Sequence, residues 1–321
     1  MTEDAKPLIS ISVPVFNEEE NVEQLYQRLS ALADKMSDRC MFEFVFSDNH
    51  SSDETWSRLR HLAENDGRVR AIRFSKNFGF QNSILANYMH TRGDAVLQID
   101  ADLQDPPELL EEFFDLWQQG YQVVYGIRKG RKEGPFVNLF RKIGYWVIDK
   151  VSENPIPRDV GDFRLVDRRV IEAVSRSGQP NPYLRGIIAG MGFNQTGVAY
   201  DRDARTAGRS QFGTLRLVSL GLTAVLNHST VPLRIATYTG LIIILGTVAL
   251  TIFYLISKFL NPNLPPGFIS IQLLILFGIG LNAFLLGIIG EYILRIYRTI
   301  RSDPIAIIEQ SLNIKDGDLK L

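Results

Sequence analysis

Short apolar runs alternate with helical patterns between residues 8 and 125, and this alternation constrains the fold more than any other feature of the chain. The predicted strands are Leu8–Val13, Met41–Ser47, Val69–Phe74, Ala95–Ile99 and Tyr121–Tyr125. The first predicted helix begins at Glu18 with Asn17 as its cap, and the others cover Ser52–Glu64, Gln81–Thr91 and Glu108–Gln119. Strands and helices that alternate at this spacing indicate βαβ units. We therefore predict an α/β fold with a doubly wound, mostly parallel sheet.

The fourth predicted strand ends in two carboxylates, Asp100 and Asp102, and a turn-forming Asp-Pro-Pro follows at 105–107. Open α/β sheets bind ligands in the crevice outside the carboxyl ends of their strands. Two oxygen ligands at that position suit a divalent cation bound to the phosphates of a nucleotide. The alternative is that residues 102–105 only cap the next helix. This segment by itself leaves both interpretations open.

Composition excludes some classes of function. The net charge is −1, so the chain lacks the overall basic character of a nucleic-acid-binding protein. Its single cysteine, Cys40, cannot form an intrachain disulfide, which fits a reducing compartment. Residues 1–7 contain no basic region followed by an apolar core, so no signal peptide is expected.

Two uncharged apolar segments, Ile235–Ser257 and Phe268–Gly290, lie near the C-terminus. Each exceeds the roughly 20 residues that cross a bilayer as a helix, and the alternative is a pair of buried core helices. The connection between them is rich in helix breakers, which predicts a hairpin. Arginines flank the pair, whereas the connection carries only Lys258, so both termini are expected in the cytoplasm. Before the pair, Gln211–His228 is predicted as an interfacial helix, with a helix of the soluble domain as the alternative.

Four motifs occur in order along the chain: Val13–Glu18, Ser47–Asp53, Asp100–Gln104 and Gly161–Leu165. Together they resemble the inverting, GT-A-fold glycosyltransferases of family 2. The subgroup they resemble is the polyprenyl-phosphate glycosyltransferases, which includes dolichol-phosphate mannose synthases and bactoprenol glucosyltransferases. The resemblance extends from about residue 8 to the apolar segments. It implies a cytoplasmic catalytic domain at 1–210, interfacial helices at 211–232, a transmembrane hairpin at 233–294 and a cytoplasmic tail at 295–321.

The resemblance also implies a nucleotide site. Its expected residues are Pro14, Phe16, Glu18, Asp48 and Asp100, with Phe16 covering the base and Asp48 accepting from it. The family usually has Asp-Asp-Gly-Ser-Ser-Asp where this chain has Asp-Asn-His-Ser-Ser-Asp at 48–53. The departures at Asn49 and His50 leave the choice of base open.

The reacting groups are expected further along the chain. Asp102 is the first choice for holding Mg²⁺ or Mn²⁺, with Asp100 near the ribose or the metal, and Gln104 is expected near the sugar or the acceptor phosphate. Asp162 is expected near the reacting centre, as a base or as an orienting group, because an ionised phosphate acceptor requires no strong base.

Cations are expected to bind the phosphates. By resemblance these are Arg128, Arg131 and Arg141, together with Arg205 and Ser210 of a mobile R-x-x-G-x-S loop. Arg209 stands in that loop where the family commonly has an acid.

The resulting hypothesis is transfer of a hexose, with glucose from UDP-glucose as the leading donor, to undecaprenyl phosphate at the inner (plasma) membrane. GDP-mannose, UDP-galactose or a UDP-amino sugar are alternative donors, and a non-catalytic nucleotide-sugar-binding scaffold is an alternative class. A processive synthase would need a Q-x-x-R-W motif, which the three tryptophans do not provide. Ala283, Gly287 and Gly290 would permit close helix packing and a homo-oligomer.

Overall fold

The computed structural model describes residues 6–129, 160–176, 182–201, 267–300 and 304–314, and scattered positions between 238 and 260. The chain divides into two compact units. The first comprises residues 1–149, 154–212 and 302–321, and the second comprises 150–153 and 213–301.

The described residues of the first unit form an eight-stranded sheet with the order β7-β5-β6-β4-β1-β2-β3-β8. Its strands are β1 Leu8–Val15, β2 Met41–Asp48, β3 Val69–Phe74, β4 Ala95–Gln98, β5 Val123–Lys129, β6 Val160–Asp167, β7 Gln195–Asp201 and β8 Ile308–Leu312. Strands β4, β1, β2 and β3 run parallel, and β7 runs parallel to β5. Strand β6 is antiparallel to β4 and β5, and β8 is antiparallel to β3. The predicted α/β fold with a mostly parallel sheet is confirmed.

Helices cover both faces of this sheet. They are α1 Val22–Lys35, α2 Thr55–Asn65, α3 Phe80–His90, α4 Leu110–Gln118, α5 Arg168–Arg176 and α6 Leu184–Gly190. The core that contains α1, α2 and α4 is separate from the core that contains α3, α5 and α6. Successive residues of β4, Val96 and Leu97, belong to different cores, as the alternation of side chains along a strand requires. A strand covered on both faces is apolar almost throughout, and β1 is buried from Ile9 to Val15.

The first helix begins later than the sequence indicated. Asn17 has a φ of 55°, and its Oδ1 accepts a hydrogen bond from the backbone N–H of Ser52, 2.9 Å away. The prediction that Asn17 caps a helix from Glu18 is therefore wrong, because this side chain binds the neighbouring β2–α2 loop and α1 starts at Val22.

Strands β6, β7 and β8 are not among the strands that the sequence pattern predicts. Strand β6 contains the Gly161–Leu165 motif, and β8 comes from the segment that was expected to be a cytoplasmic tail. Each of them pairs with a strand far away in the chain, so no hairpin turn marks it in the sequence.

The second unit contains α7, Phe268–Ile300, which is helical over the whole of the second predicted span. Among the described residues it is the one helix that is long and apolar enough to cross a membrane, with a mean hydropathy of 1.7 over Phe277–Leu294. Most of its described side chains are exposed, and Phe277 and Phe284 have 61% and 64% of their surface accessible to solvent. The predicted first span and the predicted interfacial helix lie outside the described ranges, apart from scattered helical positions between 238 and 260.

Candidate active site

The four parallel strands β1 to β4 end at one edge of the sheet. Strand β6 runs the other way, and its Arg164 is paired with Gln98 of β4. The first residues of β6 therefore lie beside the residues that follow β4. This places Asp162 at the same edge as Asp100 and Asp102, although more than fifty positions separate them in the chain.

Carboxylates crowd this edge. Burial, together with the charges of Asp162, Asp105 and Asp102, raises the pKa of Asp100 to about 8, although Arg128 acts to lower it. The Oδ1 atom of Asp100 is buried and has no hydrogen-bond partner within the described part of the chain. An unpaired buried acceptor among like charges is a position that a cation would stabilise.

Asp102 shapes the loop in which it lies. Its Oδ1 accepts a hydrogen bond from the backbone N–H of Gln104, 3.2 Å away, and Leu103 between them has a φ of 60°. Helix α4 begins after a short 3₁₀ turn, Pro107–Leu109, and neither the turn nor the helix has a side-chain cap. The alternative that residues 102–105 cap the next helix stays an alternative, since the missing caps concern only the residue directly before the turn and the residue directly before the helix.

No group of three or more His, Cys, Asp or Glu side chains within the described ranges is arranged to hold a metal ion. Magnesium in nucleotide sites is commonly held by one or two carboxylates together with substrate phosphates. The pair Asp100 and Asp102, with the unpaired Oδ1 of Asp100, has the donor chemistry for such a site.

Arg128 is held in place beside the carboxylates. Its Nε donates to the hydroxyl of Tyr200 at 3.3 Å, and its Nη2 lies 3.5 Å from Oδ2 of Asp105. The Tyr200 hydroxyl in turn donates to Oδ1 of Asp105 at 2.5 Å, and burial together with Asp105 raises the pKa of Tyr200. Gly161 makes room for this arrangement, since a Cβ there would lie 2.5 Å from Nη2 of Arg128.

Asp162 is fixed by two arginines. Its Oδ1 lies 3.4 Å from Nη2 of Arg164, and its Oδ2 accepts from Nη2 of Arg185 at 3.1 Å. Arg164 is buried and also donates to the carbonyl of Gly161. The carboxylate borders a small cleft whose walls include Ile84, Leu184 and Ile188.

Asp48 lies at the end of β2 and is fully buried. Its Oδ1 accepts from the backbone N–H of Ser51 at 3.0 Å, and its Oδ2 lies 3.6 Å from Nε of Arg73. Burial raises the pKa of Asp48, and the hydrogen bonds from Ser51 and the charge of Arg73 partly offset this.

The other predicted nucleotide residues lie at the neighbouring end of β1. Pro14 belongs to the buried strand, and Phe16 beyond it is 39% exposed. Glu18 accepts a hydrogen bond from the side chain of Asn21 at 2.6 Å and donates its backbone N–H to Thr55. The exposed ring of Phe16 is therefore free to cover a planar group at this edge.

Asn49 and His50, which depart from the family pattern, form hydrogen bonds with a neighbouring segment of the chain. Asn49 donates through Nδ2 to the side chain of Asn77 and accepts through Oδ1 from the backbone N–H of Phe78. An aspartate could not make the first of these hydrogen bonds, because a carboxylate has no donor. His50, with a φ of 64°, binds the carbonyl of Phe74 through Nδ1 at 3.0 Å.

The structure thus brings together nine predicted residues at one edge of the sheet: Pro14, Phe16, Glu18, Asp48, Asp100, Asp102, Gln104, Arg128 and Asp162. The predicted phosphate-binding residues Arg131, Arg141, Arg205 and Ser210 lie outside the described residues, as does Arg209. Sequence reasoning missed Arg73, Asp105, Arg164 and Arg185 as members of the site. Tyr200 was missed as well, because no local signal in the sequence shows that it binds Asp105.

A doubly wound sheet with carboxylates at its strand ends defines an α/β protein with a ligand site at the carboxyl edge of the sheet. The model of the family described as Glycosyl transferase family 2 matches residues 10–175. The chain belongs to glycosyltransferase family 2, it has a GT-A-like fold, and it is an enzyme that transfers a glycosyl group.

Three relatives illustrate the similarity. An uncharacterized glycosyltransferase YkcC from Bacillus subtilis (strain 168) is 37% identical over 97% of this chain and 96% of its own length. The SfII prophage-derived bactoprenol glucosyl transferase of Shigella flexneri is 35% identical over 94% of this chain and 98% of its own length. A prophage bactoprenol glucosyl transferase homolog of Escherichia coli (strain K12) is 34% identical, with the same coverage.

Proposed function

We propose that this enzyme transfers a hexose, with glucose from UDP-glucose as the leading donor, to the phosphate of a membrane polyprenyl phosphate such as undecaprenyl phosphate. The observation that carries the proposal is the convergence of Asp48, Asp100, Asp102 and Asp162 at one edge of the sheet. It occurs in a chain that is similar over nearly its whole length to proteins named bactoprenol glucosyl transferases.

The donor nucleotide would lie across the ends of β1, β2 and β4. Phe16 is exposed to cover the base, and Asp48 would accept from it. The diphosphate would extend toward Asp100 and Asp102, which would hold Mg²⁺ or Mn²⁺. That ion, when bound, would offset the charge of the departing nucleoside diphosphate.

The acceptor phosphate would approach from the side of β5 and β6. Arg128 is already immobilised by Asp105 and Tyr200, so its side chain would lose little conformational entropy when it binds a phosphate. Arg131, Arg141, Arg205 and Ser210 are proposed to complete the phosphate contacts, and Gln104 to contact the sugar or the acceptor phosphate.

Asp162 is proposed as an orienting group rather than a base. The acceptor is already ionised near neutral pH, and both oxygens of Asp162 are engaged by arginines. Direct displacement by the acceptor oxygen would invert the anomeric carbon: the new bond forms to the lipid phosphate as the bond to the nucleoside diphosphate breaks.

A membrane location follows from the insolubility of the acceptor. The exposed apolar surface of α7 is costly in water and suits lipid. We propose a multi-pass protein of the inner (plasma) membrane with a hairpin at 233–294, interfacial helices at 211–232, and the catalytic domain at 1–210 and both termini in the cytoplasm. Helix packing through residues 283–290 would permit a homo-oligomer.

The test is reconstitution of the full chain with undecaprenyl phosphate, Mg²⁺ or Mn²⁺ and a panel of nucleotide sugars, followed by mass spectrometry of the lipid. We expect a glycosyl-phospholipid with one donor, and its loss with EDTA or in Asp102→Ala. Asp38→Ala, an exposed carboxylate remote from the strand ends, is the matched control and should retain activity. No product with any donor would contradict the proposal and favour the non-catalytic scaffold.

A further inference from the structure

The C-terminal strand β8 is seated firmly on the edge of the sheet next to the nucleotide end of the site. It pairs with β3 from Ala71 opposite Leu312 to Phe74 opposite Ile308. Side chains reinforce the pairing: Trp56 donates to Gln310 at 2.9 Å, and Asn313 donates to the carbonyls of Ala63 and Val69 at 2.8 Å. The position of each residue of β8 is therefore well defined.

One side chain of this strand, Glu309, reaches the groups around Asp48. Its Oε2 lies 3.9 Å from Nε of Arg73 and 3.8 Å from Nδ1 of His50. The same Nε of Arg73 lies 3.6 Å from Oδ2 of Asp48, so one guanidinium faces two carboxylates.

Arg73 is held short of a hydrogen bond with Asp48. Its Nη2 donates to the carbonyl of Ser51 at 3.0 Å, and its guanidinium lies 5.7 Å from the ring centre of Trp56. Oδ2 of Asp48 has no hydrogen-bond partner in the part of the chain that the structure describes. Without the charge of Glu309, the guanidinium of Arg73 would move toward the carboxylate of Asp48. It would then form a hydrogen bond with Oδ2 of Asp48.

We propose that Glu309 is a positioning residue of the nucleotide site: by sharing Arg73 it keeps Oδ2 of Asp48 available to a donor group of the base. The inference rests on the proposed function, in which Asp48 contacts the base. If Glu309 has this role, the segment that follows α7 contributes to the nucleotide site. His50 then binds β8 rather than the donor nucleotide.

The test measures binding of UDP, GDP and inorganic pyrophosphate to the full chain by calorimetry in the presence of Mn²⁺. For Glu309→Gln we expect the Kd of the preferred nucleoside diphosphate to rise about three- to fivefold, as for a partly exposed ion pair. The Kd of pyrophosphate, which has no base, should not change. Glu309→Asp, which keeps the charge, should recover part of the loss, and kcat at saturating donor should stay within about twofold of the wild-type value.

Gln310→Ala is the matched control, because it weakens the seating of β8 but leaves Glu309 in place. An equal loss of nucleotide affinity in Gln310→Ala, or an equal loss of pyrophosphate affinity in Glu309→Gln, would show a structural role and overturn the inference. Unchanged UDP and GDP affinities in Glu309→Gln would overturn it as well. If the wild-type protein binds neither nucleotide, the proposed function fails first and the inference falls with it.

Discussion

Two carboxylates at opposite edges of the same sheet have opposite environments. Glu43 lies near the amino end of β2 and accepts hydrogen bonds from Ser10, from the backbone and side chain of Arg92, and from Arg70. Although burial opposes ionisation, these partners lower its pKa. Asp100 follows the carboxyl end of β4, and there burial and neighbouring carboxylates raise the pKa to about 8.

The contrast separates two uses of buried charge. At the amino edge the carboxylate of Glu43 is surrounded by donors from the chain itself, so the network stabilises the fold. At the carboxyl edge like charges are left together and an acceptor of Asp100 is left unpaired within the described residues, an arrangement that a bound proton or cation would stabilise. Whether a buried charged group has partners within the chain distinguishes a structural cluster from a ligand-binding site better than the number of charges does.

Removal of Glu43 should have the largest effect on stability. Glu43→Ala leaves Arg70, which is 1% exposed, without its buried counter-charge, and we expect a loss of about 3–5 kcal/mol in the free energy of unfolding. Chemical denaturation of the variant measures it. Glu64→Ala, on the exposed surface of α2, is the control and should change stability by less than about 0.5 kcal/mol. A small loss in Glu43→Ala would mean that the two edges do not differ as described.

Asp100→Asn should behave in the opposite way. Transfer should fall by a factor of roughly 100 or more, since removal of one group that stabilises transition-state charge has effects of this size. The fold should be retained, because the variant has no buried carboxyl group whose ionisation is opposed by burial and by neighbouring carboxylates. The lipid-product assay and a melting curve of the same preparation measure the two effects, and Asp38→Asn serves as the control. A variant that keeps its activity would remove Asp100 from the site.

Asp100 and Glu43 should also differ in how they make the free energy of unfolding depend on pH. The raised pKa of Asp100 means that the folded protein holds a proton that the unfolded chain releases near pH 4, so this group makes stability fall as pH rises from about 4 to about 8. Glu43, with its lowered pKa, contributes stability that is present above about pH 4 and is lost on further acidification. The advantage of Asp100→Asn over the wild type in unfolding free energy should therefore grow between pH 5 and pH 8. A constant difference across this range would contradict the assignment.

The smallest effect is expected at Tyr200. Tyr200→Phe removes the hydroxyl that joins Asp105 to Arg128 and should lower stability by about 1 kcal/mol, the usual size for one hydrogen bond. It should also raise KM more than it lowers kcat, because Arg128 loses one of its supports. Thermal melting and steady-state kinetics measure these effects, and Tyr121→Phe is a suitable control. Unchanged kinetics would show that Arg128 needs no support from Tyr200.

The centre of the sheet was predictable because β1 to β4 alternate with helices and their strands are apolar. Strands β6, β7 and β8 were not, because their pairing depends on partners distant in the chain. The same division applies to the site. Asp100, Asp102 and Asp48 follow predicted strands, whereas Arg185 and Glu309 reach the site only through tertiary packing. Asn17 shows the limit of local rules, since its side chain fits a helix cap but binds another loop.

The place of β8 has a consequence for the order of events during synthesis. A chain is made from its N-terminus, and domains generally begin to fold as they emerge. Here β8 is made after α7, so the edge of β3 that pairs with β8 has no partner until the apolar helix has left the ribosome. Bare strand edges invite association with other chains. We expect the emerging protein to need protection from association during that interval. In a pulse-labelled translation reaction with detergent, a chain that stops at residue 303 should aggregate. The full chain should stay soluble under the same conditions.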